Sequence, residues 1–155
     1  MSDYLKDLRK KTGNMPLVLP HAVVLVINNQ NEILLEERFD DGFFDFPGGG
    51  IDLKESAEEA AARELEEETG LIANRLELFK VYSGEITHYI YFNGDEIYGV
   101  DCVYICRDYS GELKPQPSEV KRLFFYSLDE MPNKMSPRNK QIILDLKKQK
   151  NKQVR

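Results

Sequence analysis

The chain has 155 residues, 41% hydrophobic and 31% charged, enough for one domain with its own core. Its longest apolar run, 22–27, is the length of a strand and too short to span a bilayer. The net charge of −6 is local: residues 55–68 hold seven acids and one base, and the remainder balances. The only basic cluster is the tail "LKKQKNKQVR", so duplex nucleic acid is not an expected partner. A membrane is not expected either.

Residues 1–14 read as a short helical extension, with Leu5 and Leu8 on one side and Gly13-Asn14 as its stop. This N-terminus lacks the apolar core of a signal peptide, and a cytoplasmic location is expected. "LVLPHAVVLVINN" reads as a long buried strand, "NNQNE" as a turn and "EILLEER" as the next strand, so the two strands are expected to form a hairpin. "DDGFFDFPGGG" reads as loop with a short extended piece. Ser56 and Glu59 then have the spacing of a capping box, and Gly70 supplies the stop of the helix they open.

After that helix, "RLELFKVYSGE" reads as a strand. "ITHYIYFNGDEIYGVDCVYICRDY" reads as a hairpin turning at Asn93-Gly94, and "VKRLFFYSL" as a further strand. "SLDEMP" is expected to form a short helical turn, "PRNKQIILDLKK" a terminal helix, and 149–155 a frayed tail. Strands, one central helix, more strands and a last helix indicate a single α+β domain over 1–155. Cys102 and Cys106 lie four residues apart on one strand, roughly 13 Å, too far for a disulfide. They read as buried thiols. His21 and His88 have no metal-ligand spacing and read as structural or surface residues.

The central helix "SAEEAAARELEEETG" changes character along its length. Ala57, Ala60 and Ala61 mark a buried stripe. Glu64, Glu67 and Glu68 continue that same stripe at i, i+3 and i+4. Like charges at one-turn spacing destabilise a helix, and its C-terminal end disfavours anions. A divalent cation is the simplest candidate to offset both costs. All-oxygen ligands suit Mg²⁺, Mn²⁺ or Ca²⁺, and sparse protein ligands completed by substrate oxygens point to Mg²⁺ with a phosphate substrate. The bland alternative is a solvated acidic face. The flexible "FPGGG" before the helix argues against it, because glycines let backbone approach an ion or phosphate. Arg63 stands beside Glu67, where it could orient a carboxylate.

Gly49, Glu55, Arg63-Glu64-Leu65, Glu67-Glu68 and Gly70-Leu71 together resemble the signature of Nudix hydrolases, of MutT-like type, with every specified position matched. Seven fixed residue types coincide by chance in roughly one window per 10⁸, so the signal is specific. The resemblance implies an α/β/α sandwich with a mixed central sheet, one catalytic helix and a C-terminal helix. It also implies hydrolysis of a nucleoside diphosphate linked to another group, by water attack on phosphorus.

Under that resemblance Glu64, Glu67 and Glu68 hold Mg²⁺, with Mn²⁺ as a substitute, and the Gly49 carbonyl adds a ligand. Arg63 holds a ligand glutamate. Glu55, Gly48 and Gly70 support the site. The general base is Glu64, Glu68 or Glu119, the last being equally readable as a solvated loop residue. Arg38 reaches a phosphate or pairs with Asp40 or Asp41. Phe43, Phe44 and Tyr98 are candidates to stack a base. The partner is a small-molecule nucleotide, and family analogy allows a homodimer.

The proline that marks ADP-ribose hydrolases would fall near Ile86 and is missing. Tyr89 stands where some dinucleoside polyphosphate hydrolases have a tyrosine, amid Tyr82, Tyr91 and Tyr98. Triphosphate pyrophosphohydrolysis of the housecleaning kind, a decapping-like activity on RNA ends and a non-catalytic nucleotide sensor are the alternatives. Sensors of this kind lose box glutamates, and none is lost here.

Overall fold

The computed structural model describes residues 3–153. Its elements are α1 (Asp3–Thr12), β1 (Leu17–Val26), β2 (Glu32–Arg38), β3 (Phe44–Asp45), β4 (Gly48–Gly50), α2 (Ala57–Thr69), β5 (Leu71–Tyr82), a 3₁₀ turn (Gly84–Thr87), β6 (His88–Ile90), β7 (Glu96–Gly111), β8 (Val120–Ser127) and α3 (Pro137–Gln153). Five strands form a mixed sheet in the order β4-β1-β7-β5, with β6 also on β7. β1 and β7 are parallel, pairing from Leu17↔Ile97 to Val26↔Cys106, and the other pairs are antiparallel. A second, antiparallel sheet runs β3-β2-β8.

β1 is apolar on both faces because both faces are covered. Ala22, Val24 and Val26 pack with Ala60, Ala61 and Leu65 of α2. Val23, Leu25 and Ile27 pack with Ile142, Ile143 and Leu146 of α3. One helix on each side of the sheet gives the expected sandwich. Cys106 is buried and Cys102 partly so, both in the α2-side core. Burial pushes the Cys106 thiol up to about 11, so it is inert at neutral pH.

The local signals around α2 hold. Ser56 caps the helix, accepting from the Glu59 amide at 3.1 Å, and the Glu59 carboxylate accepts from the Ser56 amide at 2.8 Å. Gly70 closes it in the left-handed region at φ +77. A Cβ there would lie 2.6 Å from the Glu112 carbonyl oxygen. Gly70→Ala is therefore expected to cost about 2 kcal/mol, lowering Tm by roughly 4–8 °C in a calorimetric scan. An unchanged Tm would show that the turn relaxes.

Four expectations need correction. β1 and β2 do not form a hairpin: only Ile27↔Ile33 bridges them, and they belong to different sheets. The Asn28 side chain accepts from the Gln30 and Glu32 amides, and Asn31 takes φ +57. That turn diverts the chain, leaving β1 to pair with β7 and β2 with β8. The second hairpin does exist, but β6 is only three residues long and its turn spans Tyr91–Asp95, closed by the Tyr91 amide on the Asp95 carbonyl at 2.8 Å. "SLDEMP" makes a plain turn, with the Glu130 amide on the Ser127 carbonyl at 3.0 Å. The tail does not fray at 149: α3 continues to Gln153, and 154–155 lie outside the described residues.

α1 buries none of its side chains fully. It is held by Arg9, whose guanidinium donates to the carbonyls of Gly13 (3.0 Å), Met15 (2.7 Å) and Glu96 (2.9 Å) and lies 3.7 Å from Asp95.

Candidate active site

A cleft of about 520 Å³ opens where β4, the end of β2, the β6–β7 hairpin and the start of α3 meet. Gly48, Gly49, Glu64, Arg38, Phe43, Phe44 and Glu119 all line it. Residues separated by up to 81 positions in sequence are thus gathered at one opening. Tyr98 does not line it; its ring stacks on His88 with centroids 4.6 Å apart. Side chains alternate along a strand, and on β7 it is Ile97, Gly99 and Asp101 that border the cleft. Tyr98 is therefore withdrawn as a base-stacking residue.

Arg63 organises the acidic end of α2. It donates to Glu55 Oε1 at 2.6 Å and Oε2 at 3.0 Å, to Glu64 at 2.8 Å, to Glu67 at 3.4 Å and to the Gly50 carbonyl at 3.1 Å. Glu55 also accepts from the Asp52 amide at 2.9 Å. The hydrogen bond from Arg63, aided by its charge, holds the Glu55 carboxyl below the usual range. A planar guanidinium suits this work because it binds several oxygens in fixed directions.

The three box glutamates occupy different surroundings. Glu67 is exposed, Glu64 is partly buried at the cleft wall, and Glu68 is 2% exposed behind it. No three acidic, imidazole or thiol side chains converge as a metal cage among the described residues. The Gly48 amide donates to Glu68 Oε1 at 3.0 Å, and Glu68 Oε2 has no partner. Across from it stands Glu36 of β2, fully buried, with its own Oε2 unpartnered and its Oε1 3.3 Å from Arg38. Burial pushes both well above the usual carboxylate range, Glu36 to about 8, and the facing Glu36 raises Glu68 further. Sequence reading missed Glu36.

Two features suit this donor set to a hard divalent cation. One is the pair of buried carboxylate oxygens that no protein donor reaches. The other is the close approach of β4 to α2: a Cβ on Gly49 would lie 2.5 Å from the Glu64 carboxylate, so only glycine leaves that group its place.

Arg38 sits at the cleft edge between Glu36 at 3.3 Å and Asp40 at 3.4 Å. Burial opposes its charge, and the acids around it outweigh burial and keep it protonated. Glu119 is half-buried on the β7–β8 loop, whose carbonyl there accepts from the Phe39 amide at 3.2 Å. Lys134 lies 5.3 Å from the centre of the Phe43 ring.

Four elements, β1, β3, β7 and α3, also meet at the cleft. His21 Nδ1 is 3.1 Å from Asp101, and Arg138 donates to Asp101 at 2.9 Å and Asp45 at 3.0 Å. Burial opposes the charge on Asp101, and the His21 and Arg138 contacts outweigh it, leaving the carboxyl below its usual range. His21, which the sequence left as a structural or surface residue, lines the cleft beside Asp101.

Residues 18–146 match the family profile described as the NUDIX domain. The chain belongs to the Nudix hydrolase family. It is 34% identical over 151 residues, covering 94% of this chain and 82% of the relative, to an ADP-ribose pyrophosphatase of Methanocaldococcus jannaschii. It is 38% identical over 63 residues to an 8-oxo-dGTP diphosphatase of Escherichia coli, covering 38% of this chain and 49% of that relative, so it spans about half that relative's length. The crystal structure of a MutT NUDIX hydrolase from Burkholderia pseudomallei superposes with a TM-score of 0.68 at 27% identity, covering 83% of this chain and 96% of that one. The mixed sheet between helices is thus the family's fold, and α1 lies outside the segment that matches the Nudix profile.

Proposed function

We propose that this Nudix domain hydrolyses a pyrophosphate bond in a small nucleoside diphosphate derivative, with Mg²⁺, or Mn²⁺ in its place, as cofactor. The observation that carries this reading is the Arg63 clamp, which presents Glu64 at the wall of a cleft large enough for a nucleotide. Glu64, Glu67 and Glu68, with the Gly49 carbonyl, would hold the cation. Once bound, it would neutralise phosphoryl charge and acidify a water. Arg63 and Glu55 keep the glutamates oriented. Arg38 would meet a phosphate oxygen, and Phe43 and Phe44 would cover a base. Glu119, which also lines the cleft, would accept a proton.

The Methanocaldococcus relative makes ADP-ribose the first substrate to try, and the Escherichia relative adds oxidised triphosphates. The test is phosphorus NMR in oxygen-18 water with Mg²⁺, on ADP-ribose, nucleotide sugars, diadenosine polyphosphates and nucleoside triphosphates. Cleavage of one compound at a P–O–P bond, with label on one phosphorus, is the expected result. No cleavage of any, in Mg²⁺ or Mn²⁺, would replace the hydrolase reading with a nucleotide-binding one.

Gly49→Ala should then lower kcat/KM on the cleaved substrate by about 100-fold, the usual effect of displacing a catalytic group by about an ångström. The fold should survive, since the group it displaces is the end of a flexible side chain. Wild-type kinetics in this variant would show that the Glu64 position is immaterial.

A further inference from the structure

We propose that Glu36 is a further ligand of the divalent cation, delivered from the second sheet to face Glu68 on α2. This rests on the metal-dependent reading above. The box glutamates all lie on one helix; Glu36 comes from a strand 32 positions earlier and approaches from the other side.

The placement follows from the register. On the α2 side of the core, Leu34 of β2 packs in one cluster with Leu65 of α2. Two residues on along the strand, and three on along the helix, the same seam continues as Glu36 and Glu68. An apolar contact thus turns acidic one step toward the cleft, where Arg38, two residues further along the strand, lines the opening.

The hydrogen bonding leaves a specific vacancy in the donor set. Glu68 Oε1 is satisfied by the Gly48 amide at 3.0 Å, and Glu36 Oε1 lies 3.3 Å from Arg38 Nη1. The second oxygen of each carboxyl is buried and has no protein donor. Glu36 is 0% exposed and Glu68 2%. A buried carboxylate oxygen without a donor is costly to keep, and two in one place are costlier. Glu64 and Glu67 already share Arg63, so Glu36 and Glu68 carry the charge that most needs an added cation. Two carboxylates match a divalent charge, and oxygen-only donors match a hard ion. The competing account is a structural pair that shares a proton and never meets metal.

Metal binding without substrate separates the two. Full-length protein stripped of metal is titrated with Mn²⁺, and free Mn²⁺ is counted by electron paramagnetic resonance. Glu36→Gln is expected to bind Mn²⁺ more weakly than wild type by about tenfold or more. Its melting midpoint in EDTA should match or exceed that of wild type, because the new amide donates to Glu68. Glu36→Asp keeps the charge but draws the oxygens back by one methylene, and is also expected to bind more weakly; it decides the matter if Glu36→Gln does not fold. Wild-type Mn²⁺ affinity in either folded variant overturns the proposal and leaves the shared-proton pair. Weakened binding in Glu68→Gln alone would sink Glu36 as a ligand while sparing the metal site. A wild-type protein that takes up no Mn²⁺ would sink the metal reading itself.

Discussion

Glu68→Gln is expected to reduce turnover by roughly 100- to 1,000-fold, the scale on which one preorganised charge contributes to catalysis, while leaving the protein folded. The reason lies in where this carboxylate stands. It is almost fully buried, it accepts one backbone amide, and its free oxygen faces a second buried carboxylate. In the metal-free protein such a pair is a source of strain, because burial opposes the charge on each carboxyl and drives them to hold protons. The amide of Gln removes one charge and can donate to Glu36, so Tm in EDTA should equal or exceed that of wild type. The same change removes an anionic oxygen from the cation's reach. Opposite signs for activity and stability are the signature of a residue kept for function at a cost to the fold. Steady-state kinetics and calorimetry in EDTA on the two proteins check both halves. Turnover near wild type would mean that the helix does not hold the cation as proposed.

Arg63→Ala should damage both properties. Its guanidinium touches Glu55, Glu64, Glu67 and the Gly50 carbonyl. Without it, Glu64 and Glu67 of α2 and Glu55 of the loop before it lose their shared counter-charge, and β4 loses its link to α2. A loss of about 2 kcal/mol is expected, with a fall in Tm of roughly 4–8 °C. Turnover should fall by about 10- to 100-fold, as when a group that orients a metal ligand is removed. Raising Mg²⁺ should recover part of that loss, because the ligands remain and only their placement suffers. Arg63→Lys should lie closer to Ala than to wild type: one ammonium cannot span oxygens set in several directions. Kinetics across a range of Mg²⁺, beside thermal melts, would show this. A variant with an unchanged Mg²⁺ requirement and unchanged kcat would remove Arg63 from the site.

What could be read in the chain beforehand is what depends on short spacings. The capping box needs only Ser56 and Glu59, the helix stop only Gly70, and the Arg63 clamp only the eight positions back to Glu55. Each is fixed by the pitch of one helix and the loop before it. Features that depend on register between distant strands were not legible. "EILLEER" is apolar at three successive positions, so it does not announce which face Glu36 takes, and nothing local says that Glu68 stands opposite. Tyr98 was misjudged for the same reason, since one step of parity on β7 separates it from the cleft-lining Ile97 and Gly99. The hairpin expected of β1 and β2 failed because adjacency in sequence was the only guide. Both strands are apolar enough to pair with anything, and each takes one partner, β7 or β8, that lies 80 or more positions further on. The contacts among His21, Asp45, Asp101 and Arg138 are also purely tertiary.

Leu5 and Arg9 of α1 form part of the cleft wall, yet α1 precedes the segment that carries the family's chemistry, and Arg9 ties it to the Met15 and Glu96 carbonyls. Part of the wall of the binding space is therefore encoded in a stretch of the chain separate from the apparatus that does the chemistry. Drift in the first dozen residues can re-tailor which substrates are admitted without a single change in the glutamate helix, giving a lineage of such enzymes an inexpensive route to new substrate preferences.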